Sequence, residues 1–143
     1  MTVSKEYNVS DFLAENVKQE RTTKEVKITG YKKPFVIQSV TSEEFDQMQK
    51  QATRKLINKK TYQEIEKTDN NKFVDLLIEK SVVVPDLHDE KLQKSWGCLA
   101  EPAKLLRKMI PKAGEYGDLL EDIQKISGFE IDKLSDFVER AKN

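Results

Sequence analysis

Apolar residues alternate with polar ones in the first third of the chain and recur at helical spacing afterwards. Over residues 24–30, Val26 and Ile28 alternate with charged residues, which predicts a half-buried strand. A turn-forming stretch, residues 30–34, follows, and residues 35–40 are rich in aromatic and β-branched side chains that favour a second strand. Because the connection is short, we expect the two strands to form an antiparallel hairpin.

A helix start follows the second predicted strand. Residues 41–44 read Thr-Ser-Glu-Glu, and Glu44 stands three residues after Thr41, which is the spacing of a capping box. Thr41 or Ser42 is therefore expected to cap a helix. The apolar stripe of this helix comprises Phe45, Met48, Ala52 and Leu56.

The middle of the chain contains a basic tract, a short alternating segment and the most apolar segment. The basic tract, residues 54–60, is expected to be a solvated loop, and residues 61–66 are predicted to form a third strand. Residues 73–83 are expected to form a central helix that ends before Pro85, because the residue before a proline disfavours helical conformation.

Four further helices are predicted in the last part of the chain, where apolar residues recur at helical spacing. Asp86 or Asp89 caps the first of them and Gly97 ends it. Pro102 opens the second, and Gly128 ends the third. The last helix carries Ile131, Leu134, Phe137 and Val138.

Strands gathered before residue 66 and helices after it are typical of an α+β fold. We expect a small antiparallel sheet of two or three strands over residues 24–66, with one embedded helix, followed by a cluster of four or five short helices. Residues 1–23 are polar and are expected to be a mobile N-terminal arm, so that residues 24–143 form a single α+β domain.

The predicted arm contains one amphipathic patch. Ser10 is expected to cap a short helix that carries Phe12, Leu13 and Val17 on one side. Two alternatives are open for this patch: it folds back on its own domain, or it stays accessible to other molecules.

The composition describes a compact core under a charged surface. Of the 143 residues, 37% are hydrophobic and 35% are charged, and 25 basic residues balance 25 acidic ones. A duplex-binding protein usually has a basic excess, so this balance argues against nucleic acid as a partner. It also offers little electrostatic repulsion between copies, and we expect self-association.

Cysteine use and hydropathy predict a cytoplasmic protein. Cys98 is the only cysteine, so no intrachain disulfide forms, which suits a reducing compartment. The first ten residues lack the apolar run of a secretory signal. No stretch approaches the ~20 apolar residues of a membrane span, so we expect no membrane partner.

Few residues of the chain are candidates for catalysis or for binding a metal or cofactor. Cys98 and His88 could form a nucleophilic pair, but no residue orients the histidine, so we interpret them as a semi-buried thiol and a surface histidine. They are too few for a structural zinc, which needs about four ligands. The glycines are scattered and form no phosphate loop. We therefore predict no catalytic, cofactor-binding or metal-binding residue, no cofactor and no enzymatic activity. Trp96 and Tyr116 are expected to pack in the core.

The basic tract supplies an alternative function, a small DNA-binding regulator of a mobile element. Its cations could contact phosphates, but the acidic residues within 64–69 follow closely and offset this positive charge. The helix pair after Pro102 is arranged like a helix-turn-helix, but acidic residues on its second helix would repel phosphate. They are Glu115, Asp118, Glu121 and Asp122.

Seven short segments resemble the XkdN-like phage tail assembly chaperones, which are proteins of contractile-tailed phages and of phage-like elements in Gram-positive bacteria. In chain order the segments are Thr41–Phe45, Ala52–Lys55, Val84–Leu87, Leu92–Gly97, Lys108–Ile110, Gly114–Tyr116 and Ser127–Phe129. Their order and spacing, over roughly residues 24–130, carry the resemblance.

The resemblance implies an α+β fold and a non-catalytic role. Such chaperones are understood to coat the long tape-measure protein until the tail tube polymerises around it, and they are not expected in the finished virion. For this chain the resemblance therefore implies the tape-measure protein as partner, and it defines no catalytic or binding residue.

Overall fold

The computed structural model describes residues 8–131, in which five strands and five α-helices follow two short 3-10 turns, Val9–Phe12 and Ala14–Asn16. The order is β1 (Thr23–Val26), β2 (Phe35–Gln38), α1 (Ser42–Ala52), β3 (Thr53–Ile57), β4 (Glu64–Thr68), α2 (Asn70–Ser81), β5 (Val82–Val84), α3 (Glu90–Ser95), α4 (Pro102–Met109) and α5 (Ala113–Ser127). The α+β prediction is confirmed. The predicted last helix lies outside the described residues except for Ile131.

The main sheet has three antiparallel strands in the order β1-β2-β5. The predicted hairpin of β1 and β2 is present, with Val26 opposite Phe35 and Thr23 opposite Gln38. Strand β2 lies in the centre of the sheet, and its Phe35 and Ile37 side chains are buried. Helix α5 packs against β1 and β2, so this sheet has one covered face.

The third strand of the main sheet was not predicted. The helix expected over residues 73–83 begins earlier, at Asn70, and ends at Ser81, so that Val82–Val84 can pair with β2. Three consecutive β-branched residues favour extended backbone, and the sheet supplies partners for their N–H and C=O groups. The peptide bond between Val84 and Pro85 is cis.

A second sheet contains only β3 and β4, which pair antiparallel from Thr53–Thr68 at the base to Ile57–Glu64 near the tip. Two predictions about this region are wrong. The basic tract is not a loop, because its first residues form β3, and Leu56 therefore lies in this strand instead of in the apolar stripe of α1. The strand expected over residues 61–66 begins at Glu64 and pairs with β3 instead of joining the main sheet.

Helix limits follow the predicted caps, with one open alternative settled and one correction. The Thr41 hydroxyl accepts a hydrogen bond from the Glu44 N–H at 3.1 Å, and the Glu44 carboxylate accepts one from the Thr41 N–H, so the capping box is confirmed. Of the two predicted alternatives, Asp89 caps α3. At the N-terminus Asn8, not Ser10, caps a 3-10 turn in place of the predicted helix.

The core lies where the main sheet meets the helices. Its fully buried aliphatic side chains come from β2, from α2, α4 and α5 and from the loops between them: Ile37, Leu77, Ile78, Leu87, Leu105, Leu106, Ile110, Leu119 and Ile123. Tyr116 packs at the margin of this core as expected. Trp96 does not, because it follows the short helix α3 and 38% of it is exposed.

Candidate protein-binding surface

Both faces of the β3–β4 hairpin are exposed within the part of the chain that the structure describes. Every residue from Arg54 to Lys67 is exposed. Only the base is fixed: the Ala52 carbonyl accepts a hydrogen bond from the Asp69 N–H at 2.8 Å, and the Thr53 and Thr68 hydroxyls are 2.9 Å apart. An isolated two-stranded hairpin is marginally stable in water, and exposed apolar side chains on it make the hairpin a candidate docking surface.

The register of the hairpin sorts its side chains into two chemically different faces. Directly opposed residues share a face, and successive residues alternate between faces. One face, which we call the basic face, pairs Arg54 with Lys67 and Leu56 with Ile65. The opposite face pairs Lys55 with Glu66 and Ile57 with Glu64, so positive and negative charges mix there.

The basic face has apolar residues and cations but no carboxylate along its strands. Leu56 is 49% exposed and Ile65 is 47% exposed. Like charges placed directly opposite each other, as Arg54 and Lys67 are, repel one another and destabilise the pairing. An acidic partner would remove that repulsion. Within residues 8–131, none of the five hairpin cations (Arg54, Lys55, Lys59, Lys60 and Lys67) forms an ion pair.

The basic face continues into a groove against the start of α2. The groove has a volume of about 420 Å³ and is lined by Arg54, Leu56, Lys67, Thr68, Asp69 and Asn70. The Asp69 carboxylate is already engaged, since it accepts hydrogen bonds from the Asn71 and Lys72 N–H groups and caps α2. The groove therefore offers apolar contact and positive charge to a partner.

A second exposed surface lies at the N-terminus. The first 3-10 turns display an arm patch of apolar side chains that are 41–70% exposed: Val9, Phe12, Leu13 and Val17. Two carboxylates, Asp11 and Glu15, lie among them in the sequence and are exposed. The turns are held together locally, because the Asn16 amide donates to the Ser10 carbonyl at 2.7 Å.

A charge cluster fixes the end of this segment to the domain. Arg21 donates to both carboxylate oxygens of Glu44, and the Lys80 ammonium contacts the same carboxylate at 3.0 Å. Hydrogen bonds from Arg21 hold the pKa of the Glu44 carboxyl well below its usual range, desolvation opposes this, and bonds from Thr41 and Lys80 reinforce it. The cluster fixes Arg21, which follows the arm patch in the sequence, beside the first turn of α1.

The candidate chemical groups are not arranged as a reactive site. Cys98 is fully buried, and its thiol donates to the Trp96 carbonyl with a sulfur–oxygen distance of 3.6 Å. His88 is exposed and lines a different groove, of about 230 Å³, beside Glu44 and Leu76. Among the residues that the structure describes, no three His, Cys, Asp or Glu side chains cluster as metal ligands, and no helix is long and apolar enough to cross a membrane.

The charges of the hairpin are visible in the sequence, but its first strand and the pairing of its two strands were not predicted. The turn contains no glycine: Tyr62 takes the left-handed conformation at φ 55°, and the Asn58 side chain accepts from the Lys60 N–H. The usual Asn-Gly or Asp-Gly hairpin signal is therefore absent. The available signal was the placement of Leu56 and Ile65 at similar distances from the turn.

Comparison with known proteins agrees with this fold and with the resemblance of the seven segments. The phage XkdN-like tail assembly chaperone family matches residues 9–142. Two similar proteins come from Bacillus subtilis (strain 168). The phage-like element PBSX protein XkdN is 28% identical, with 96% of this chain and 95% of that protein covered. The protein YqbN is 26% identical, with 97% and 95% covered.

A solved structure shares the fold. The crystal structure of the protein YqbN superposes with a TM-score of 0.65 at 19% identity, covering 88% of this chain and all of that one. This likeness concerns the fold alone. The family match spans nearly the whole chain, including the hairpin, the main sheet and the helices, so this chain belongs to the XkdN-like family of phage tail assembly chaperones.

Proposed function

We propose that this chain binds the tape-measure protein of its phage or phage-like element and keeps that protein soluble until the tail tube polymerises around it. The observation that carries the proposal is membership, over residues 9–142, in a family of tail assembly chaperones. Such a role is non-catalytic and needs no cofactor. It places the protein in the cytoplasm of the host during assembly and outside the finished virion.

The exposed surfaces support a binding role on physical grounds. Apolar side chains on the arm patch and the hairpin are left in water by this chain, and exposed apolar area is stabilised when a partner covers it. A long helical partner with apolar stripes would aggregate alone. Many weak contacts along such a partner combine into firm coverage, yet each contact is easily displaced by a polymerising tube.

Co-expression with the tape-measure protein of the same element tests the proposal. We expect the tape-measure protein to move from the insoluble to the soluble fraction and to co-elute with this chain in size-exclusion chromatography. An unrelated soluble protein of similar size, expressed at the same level, is the matched control. Equal solubility with both proteins and the absence of a co-eluting complex would refute the proposal.

A gel shift on duplex DNA distinguishes the alternative function, a DNA-binding regulator, from the proposed chaperone function. A two-stranded ribbon can enter a major groove, and the hairpin carries five cations against two carboxylates. Binding to phosphates would weaken steeply as salt is added. We expect no shift at low salt, and a salt-sensitive shift would favour the regulator.

A further inference from the structure

Two uncovered surfaces of this chain are complementary to each other. Residues 8–20, which contain the arm patch, hold three carboxylates and one lysine, whereas residues 53–68 of the hairpin hold five cations and two carboxylates. Both surfaces also display aliphatic side chains. Opposite charges around matching apolar residues are what a specific protein contact requires.

The segments that carry the two surfaces join the domain at opposite ends of α1. The Arg21–Glu44 pair fixes the arm segment at the first turn of this helix, and the hairpin leaves its last residue, Ala52. Glu44 and Ala52 are eight positions apart on this helix, so the two anchor points are about 12 Å apart along its axis. Both surfaces are exposed in the single chain, and neither covers the other.

We infer that the arm patch of one copy docks on the basic face of the hairpin of a second copy. Leu13 and Val17 would contact Leu56 and Ile65, and the Asp11 and Glu15 carboxylates would face Arg54 and Lys67. The occupant of the groove beside the hairpin is then the N-terminal segment of a neighbouring chain. The proposal identifies the surfaces through which the self-association expected from the balanced charge would occur.

This contact joins two different surfaces, so it is heterologous. Such contacts propagate: each copy in a pair still has one arm patch or one hairpin to offer, and copies add head to tail into rings or open chains. An open chain of small copies could follow a long partner. The inference does not rest on tape-measure binding, because it concerns copies of this chain alone.

Charge reversal tests the contact from both sides. The hairpin variant is R54E/K67E and the arm variant is D11K/E15K. All four positions are exposed and outside the core, so both variants should keep the wild-type circular dichroism spectrum. The matched control, K32E/K33E, reverses two exposed lysines in the β1–β2 turn, at the end of β1 away from the arm.

Sedimentation velocity from about 10 to about 500 μM, the range of weak association, is the measurement. We expect the wild type and the turn control to form larger species as concentration rises and as salt is lowered. Each charge-reversal variant alone should associate at least about tenfold more weakly.

Mixing the two charge-reversal variants gives the most specific test. Each variant retains one native surface, and the reversed charges of the two variants are again opposite in sign, so an equimolar mixture of the two should restore association toward that of the wild type. A mixture that associates no better than either variant alone would overturn the head-to-tail contact.

Other outcomes also count against the inference. A wild-type chain that stays monomeric over the whole range overturns it. So does self-association that both charge-reversal variants leave unchanged.

If the wild type is monomeric and the hairpin variant alone becomes more sensitive to proteolysis in the arm, the arm packs on its own hairpin. If the hairpin variant loses only a gel shift on duplex DNA, the hairpin binds nucleic acid. If the wild type is monomeric over the whole range yet keeps the tape-measure protein soluble, the contact between copies has failed and the proposed function stands.

Discussion

Arg21 donates two hydrogen bonds to the carboxylate of Glu44, at 2.6 Å and 3.0 Å, across 23 positions of the sequence. The same carboxylate accepts from the Thr41 N–H in the capping box and contacts Lys80 at the end of α2. One side chain therefore joins the N-terminal segment, the start of α1 and the end of α2. A bidentate arginine–carboxylate pair is the strongest common geometry for such a joint.

Replacing Glu44 with glutamine should destabilise the protein by about 1–2 kcal/mol. Glutamine keeps an acceptor for the Thr41 N–H but loses the charge that Arg21 and Lys80 share, and bonds to a charged group are worth more than neutral ones. Urea unfolding at neutral pH measures the change. Glu43→Gln is the matched control on the same helical turn; Glu43 is exposed and forms no ion pair within residues 8–131, so equal losses from both variants would contradict this account.

The Glu44 cluster should also make stability depend on acid. The folded state lowers the pKa of Glu44 below its unfolded value of about 4.3, so its contribution is complete above that pH and is lost as the pH falls toward the folded pKa. We expect the stability difference between wild type and Glu44→Gln to be large at pH 7 and to shrink below about pH 4. Urea titrations at both pH values test this, and a gap that widens in acid would have the wrong sign.

The same substitution, leucine to alanine, should have a large effect on stability at the buried Leu77 and a small effect at the exposed Leu99. Leu77 lies on α2 and is fully buried, whereas Leu99 is 56% exposed. Leu77→Ala should cost about 2–5 kcal/mol, because it removes buried methyl groups and leaves a cavity. Leu99→Ala should stay within about 0.5 kcal/mol of wild type. Denaturant midpoints give both values, and similar midpoints for the two variants would contradict the packing described.

Two glycines of α5 should respond to alanine with opposite signs. Gly128 ends the helix at φ 79°, a conformation that alanine adopts only with strain, so Gly128→Ala should destabilise by about 1 kcal/mol. Gly117 lies inside the helix with open space where an alanine Cβ would lie, so Gly117→Ala should stabilise by about 0.5–1 kcal/mol. Thermal unfolding of the two variants measures the signs, and a shift in the same direction for both would be inconsistent with the cap.

Elements whose limits depend on local chemistry could be predicted from the sequence. The capping box at Thr41 and Glu44, the proline in the first turn of α4 and the left-handed Gly128 all lie where the pattern predicted them. Each depends on residues within one helical turn, so no distant partner is needed to specify it. The family, too, could be inferred from ordered short segments.

Strand pairing and the exposure of surfaces depend instead on tertiary packing. The apolar pattern of α2 continues into Val82–Val84, but these residues form a strand because β2 offers free backbone groups for pairing. Strand β2 is more than forty residues away in the sequence. The charges of Arg54 and Lys67 are visible in the sequence, but their placement on one face beside Leu56 follows from the register of β3 with β4. Trp96 looks like a core residue by composition, yet the short helix α3 leaves it partly in solvent. Exposure depends on what the rest of the chain covers, and that is a property of the packed molecule.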